Sequence, residues 1–153
     1  MPEVEIERRV EWSDTDAAGH QHHSAILRWA EAAEAELLRG LDLGWLFGRV
    51  PRVRQEVDYS GRLWFGEVVR TRLWVDSLGR SSVRFGFTVL GPNGPAARGF
   101  VTAAHALPNH ERSSPWPEEV REALQPDPAQ SGGFSGSAQL GNTSEPFGNT
   151  SDS

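Results

Sequence analysis

The spacing of apolar residues changes period along the chain. Val4, Ile6, Val10 and Trp12 share one alternating face, interrupted at Arg8, which predicts a first strand. From about residue 24 to 39 the spacing becomes helical. Ile26, Leu27, Ala30, Ala33, Leu37 and Leu38 make a stripe, Arg28, Glu31, Glu34 and Glu36 lie mostly off it, and Gly40 supplies a stop. The apolar connection over 41–48 predicts a further helical turn. Alternation then returns in four segments, about 52–59, 67–77, 81–91 and 96–107, and is strict at Val83, Phe85, Phe87 and Val89. Gly91-Pro92-Asn93-Gly94 is a hairpin signal between the last two. Ser114 as N-cap and Pro115 at the first helical position predict a short helix through residue 124.

One strand, one long helix and four more strands give an α+β chain, with an antiparallel sheet of five strands wrapped around one helix. At 153 residues the chain is expected to form one domain, over 1–125. From Pro126 onward Ser, Gly, Asn, Thr and Pro dominate, and Gly-Asn-Thr-Ser occurs twice, so 126–153 reads as a disordered tail. Mean hydropathy is −0.49, low for a packed domain, and much of that deficit lies in the tail.

Composition excludes several chemistries. A net charge of −6 argues against a nucleic-acid binder held by phosphate contacts. All 15 basic residues are Arg, so Schiff-base catalysis by lysine is excluded. With no Cys there are no disulfides, thiolate nucleophiles or Cys-ligated zinc. The N-terminal residues are polar, and no run approaches about 18 apolar residues, so a cytoplasmic protein without membrane contact is expected.

The chemistry concentrates at Trp12-Ser13-Asp14-Thr15-Asp16-Ala17-Ala18-Gly19-His20-Gln21-His22-His23. Two acids, a Gly-containing turn and three histidines stand where a strand hands over to a helix N-terminus. Such an end offers free N–H groups and partial positive charge. A carboxylate beside it could attack, or activate water against, a carbonyl that the helix end polarises. Equally, either Asp could serve only the turn, where Asp is common for backbone reasons. His20 and His22 with Asp14, Asp16 and His23 are rich in metal donors. Their spacing is not that of two His at i and i+4 on a helix, so no metal is expected.

These residues carry a resemblance. Asp14-Thr15-Asp16-Ala17-Ala18-Gly19, then His23, Leu27, Trp29 and Glu31, resembles the 4-hydroxybenzoyl-CoA thioesterase-like branch of the hot-dog-fold acyl-CoA thioesterases. Val57-Asp58-Tyr59-Ser60-Gly61-Arg62-Leu63 with Phe65-Gly66-Glu67 looks like a second family landmark, and Leu78-Gly79-Arg80-Ser81-Ser82-Val83 like a third. In order, they cover about residues 4 to 107. The resemblance implies a hot-dog fold, hydrolysis of an acyl-CoA or acyl-carrier-protein thioester without cofactor, and a homodimer or homotetramer. It places Asp16 as the catalytic carboxylate, either nucleophile or general base, with Asp14 as turn former. His23 would act through its side chain or through its backbone N–H on the thioester oxygen, and Gly19 would let the turn approach substrate. Arg80, Ser81 and Ser82 would meet the phosphate-bearing end of coenzyme A, with Arg62 a second choice. Ile26 departs from the family, where Tyr is frequent. Some relatives place a catalytic Glu on the helix, so Glu31 and Glu34 remain alternatives. The rival function is a non-catalytic acyl-CoA or acyl-carrier binding module.

Overall fold

A computed structural model describes residues 2–126. The expected tail falls outside the described residues beyond Pro126. Strands Glu3–Arg9 (β1), Arg52–Tyr59 (β2), Val68–Leu78 (β3), Ser82–Gly91 (β4) and Gly94–Ala104 (β5) form one sheet of five strands in the order β1-β3-β4-β5-β2, every pair antiparallel. Helix His23–Gly40 (α1) joins β1 to β2, and a short helix Glu118–Leu124 (α2) closes the described chain.

The sheet follows the period-two pattern. Val69, Thr71, Leu73 and Val75 of β3, Val83, Phe85, Phe87 and Val89 of β4, and Ala97, Gly99, Val101 and Ala103 of β5 are buried and stand on alternate positions. Against this face α1 packs Ala25, Ile26, Trp29, Ala30, Ala33, Leu37 and Leu38. Ile26 is fully buried, so the side chain at this departure from the family serves the core. On the opposite face of β4 the Trp74 indole lies where a Cβ on Gly86 would stand. β2 is an edge strand, with Val53 and Tyr59 exposed.

Four expectations need correction. Trp12 leaves the strand face: β1 ends at Arg9, and Trp12 opens a 3-10 turn and is 79% exposed. The cause is local. The Asp14 carboxylate accepts the Glu11 N–H at 2.8 Å in a capping box that turns the chain. The last strand begins at the hairpin and ends at Ala104, because His105 turns toward the C-terminal segment. The last helix starts at Glu118, with Pro117 as its N-cap in place of Ser114. Residues preceding Pro115 and Pro117 are pushed toward extended backbone, and Trp116 is pinned by its N–H on the Arg80 carbonyl and its indole N–H on the Ser82 carbonyl. Glu34, expected off the apolar stripe, is buried.

Candidate active site

The loop between β1 and α1 is closed by its own backbone. The Asp16 N–H donates to the His20 carbonyl, the Gly19 N–H to the Asp16 carbonyl, and the His22 N–H to the Asp14 carbonyl at 2.7 Å. Gly19 has φ +87°, a conformation L side chains disfavour, and a Cβ there would stand 3.5 Å from the Trp64 ring. The loop is sewn to the segment between β2 and β3. Gln21 is the main stitch: its backbone N–H donates to the Leu63 carbonyl, its amide to the Gly61 carbonyl, and its Oε1 accepts the Leu63 N–H at 2.7 Å. The His20 ring stands edge-on to Trp64.

The two acids of the loop differ. Asp14 is fully engaged, Oδ2 on the Glu11 N–H and Oδ1 on Arg28 at 3.0 Å. Asp16 uses Oδ1 to accept the Ala18 N–H at 2.8 Å, the turn-forming contact Asp favours, and Oδ2 has no hydrogen bond among the described residues. His23 is the first residue of α1 and is exposed. No acceptor for its N–H occurs among the described residues, as expected of a helix's first turn. Its carbonyl accepts the Tyr59 hydroxyl at 3.0 Å, which ties this turn to the end of β2. Thus Asp16, Gly19 and His23 sit together at one end of the sheet.

Arg80, Ser81 and Ser82 do not join them within one chain. They lie at the β3–β4 turn, with Ser82 the first residue of β4, and β3 runs its full 11 residues between that turn and the Asp16 end. At a rise of about 3.3 Å per residue that is roughly 33 Å. Arg80 is exposed, while the Ser81 and Ser82 carbonyls accept the His105 N–H and the Trp116 indole. Arg62, by contrast, lies on the segment stitched to the Asp16 loop.

The helical acids also separate. Glu31 is exposed, whereas Glu34 is only 4% exposed and is held by Arg52 of β2 at 2.5 and 2.9 Å. Burial raises the Glu34 carboxyl above its ordinary value and outweighs the attraction of Arg52, with Glu31 adding to the rise. The pair lines a cavity of about 380 Å³ with Glu31, Phe47 and Val50. Sequence reasoning missed Gln21, Tyr59 and the Glu34–Arg52 pair, all of which depend on long-range partners.

A family model described as the thioesterase-like superfamily matches residues 10–124, from just after β1 to the end of α2. The chain belongs to the thioesterase-like superfamily. This thioesterase-like chain is 26% identical over 132 residues to a 1,4-dihydroxy-2-naphthoyl-CoA hydrolase of Synechococcus elongatus, covering 82% of this chain and 97% of that protein. It is 27% identical to a thioesterase of Thermus thermophilus solved in complex with coenzyme A and Zn, at a TM-score of 0.73 and coverage of 86% and 96%. A 4-hydroxybenzoyl-CoA thioesterase at 17% identity, with a TM-score of 0.72 and coverage of 81% and 99%, shares the fold. The architecture is the hot-dog fold. The zinc belongs to the Thermus structure; among the described residues here, no three His or acidic side chains converge as a metal site. Nor is any helix among them long and apolar enough to cross a membrane.

Proposed function

We propose that this chain hydrolyses an acyl-CoA thioester to the free acid and coenzyme A, with Asp16 as the reacting carboxylate. One observation carries the reading: among the described residues, Asp16 keeps an oxygen without a partner on the loop that leads into α1, whose first N–H, that of His23, is also unpaired. Placed between them, a thioester has a carboxylate or a carboxylate-held water for its carbon and a donor for its oxygen. The His23 N–H stabilises the charge that develops on that oxygen, aided by the helix dipole. As nucleophile, Asp16 adds to the carbonyl carbon and expels the coenzyme A thiolate. The resulting mixed anhydride is then cleaved by water. As general base, Asp16 takes the proton of a water that attacks instead. Asp14, spent on Glu11 and Arg28, holds the loop.

The coenzyme A end draws on a second copy in this reading. The outer edge of β2 is open among the described residues, which favours pairing with another strand. Isologous antiparallel pairing there reverses the partner sheet end for end. The partner's β3–β4 turn, with Arg80, Ser81 and Ser82, then lies at the end that carries this chain's Asp16. Arg62 is already at that end.

The test is hydrolysis of 1,4-dihydroxy-2-naphthoyl-CoA, benzoyl-CoA and octanoyl-CoA, with released thiol read by a chromogenic reagent. The chain has no Cys, so the reagent reports coenzyme A alone. Turnover of at least one substrate is expected. Tight binding of all three with no turnover would make the chain a binding module instead.

A further inference from the structure

The helix that presents the His23 N–H is capped by a histidine. His22 is the N-cap of α1, and its Nδ1 accepts the Ser24 N–H at 3.1 Å. Helix caps are usually Ser, Thr, Asp or Asn, none of which changes its acceptor near neutral pH. Nδ1 also lies 2.8 Å from the Ser24 hydroxyl, which in turn receives Arg28 Nη1 at 2.8 Å. The donors are therefore ordered. Arg28 donates to Ser24 Oγ, and the backbone N–H of Ser24, which can only donate, fixes Nδ1 as an acceptor, so the Ser24 hydroxyl beside it donates to Nδ1 as well. This order requires the His22 proton on Nε2 and a bare Nδ1. An imidazolium carries a proton on Nδ1, so it meets the Ser24 N–H as donor against donor. It also sets positive charge at the positive end of the helix.

We propose that His22 is a positioning residue for the hydrolysis: its neutral ring holds the first turn of α1, and protonation releases that turn. The inference rests on the reading that the His23 N–H addresses the thioester carbonyl. The groups set around His22 are the His23 ring at 4.0 Å between centroids, Arg28 through Ser24, Asp14 through Arg28 and through its own carbonyl on the His22 N–H, and Tyr59 through the His23 carbonyl. The capping bond is the contact that proton uptake removes outright.

Kinetics, amide exchange and ¹⁵N spectroscopy on the full chain test this. On the best substrate of the panel, wild-type kcat is expected to fall about fivefold as pH drops from 8 to 5.5, the effect of losing one helix cap. His22→Asn keeps a capping acceptor that does not titrate; its kcat at pH 8 stays within about twofold of wild type and the step disappears. His22→Ala is about fivefold slower at pH 8, with KM little changed. Amides 24–26 exchange faster at pH 5.5, beyond the intrinsic pH effect, in wild type but not in His22→Asn. The ¹⁵N shifts of His22 at pH 8 report the Nε2–H form. A step that persists in His22→Asn overturns the proposal. So does a step abolished only by His20→Asn or His23→Asn, or an Nδ1–H form at pH 8. If no acyl-CoA is turned over, the functional reading fails, while exchange and ¹⁵N shifts still decide whether His22 is a titrating cap.

Discussion

Replacing Arg52 by Met should destabilise the fold, and by more at alkaline than at acid pH. The side chain removed is the partner of Glu34, with contacts at 2.5 and 2.9 Å. Stranding one member of a buried ion pair costs about 3–5 kcal/mol. Arg52 itself is 27% exposed and the pair borders a cavity, so water offsets part of the loss; about 2–3 kcal/mol is expected at pH 8. The sign of the pH dependence follows from the carboxyl. Burial already raises Glu34 above its ordinary value against the pull of Arg52. A carboxyl raised in the folded state contributes stability below its unfolded value, and that contribution fades as pH rises through the folded value. Removing Arg52 deletes both influences that hold the value down and leaves desolvation and Glu31. The window of loss therefore moves upward, and proton uptake by Glu34 toward acid pH limits the penalty. Urea unfolding followed by tryptophan fluorescence at pH 5 and 8, for wild type, Arg52→Met, Glu34→Gln and the double variant, measures it. Glu34→Gln should gain on wild type as pH rises, and the double variant should lose the pH dependence. An equal loss at both pH values, or one below about 0.5 kcal/mol, would refute the reasoning.

Two further outcomes follow. Gly99→Ala should cost about 3 kcal/mol or more, because its Cβ would run into the Glu56 carbonyl of β2 and lie 2.9 Å from the Phe87 ring; calorimetry at or near the wild-type melting temperature would show the clash is not there. Arg80→Ala should raise KM for an acyl-CoA several-fold with little change in kcat, the pattern of lost uniform binding, and an unchanged KM would remove the β3–β4 turn from the coenzyme A path.

The fold was largely legible because its strands and long helix follow their periods closely. The errors arose where local rules compete. Trp12 continued the alternation past the end of β1, yet Glu11 and Asp14 spelled a capping box that stops it. Ser114-Pro115 looks like a helix start until Pro117 forbids one turn more. Glu34 was unreadable because its reason for burial, Arg52, lies 18 residues away on an edge strand. At the site, Asp16, Gly19 and His23 stand together because they share one loop and the helix start that follows it. Gln21 and Tyr59 serve that loop through partners 36 to 42 residues distant, which no local pattern reveals. The place of Arg80 was hidden for the same reason. Only the antiparallel register puts its turn at the far end of the sheet.

The most direct measurement is kcat of Asp16→Asn beside Asp14→Asn on the best acyl-CoA substrate. Asn keeps the shape and the Ala18 contact but serves poorly as nucleophile or base. Asp16→Asn should lose about 10²–10⁴-fold in kcat or more, with unfolding and substrate affinity near wild type. Asp14→Asn should lose less in rate and more in stability, since Arg28 and the Glu11 N–H lose a charged partner. Near wild-type turnover by Asp16→Asn, with Asp14→Asn or Glu31→Gln inactive, would contradict the assignment of the reacting carboxylate.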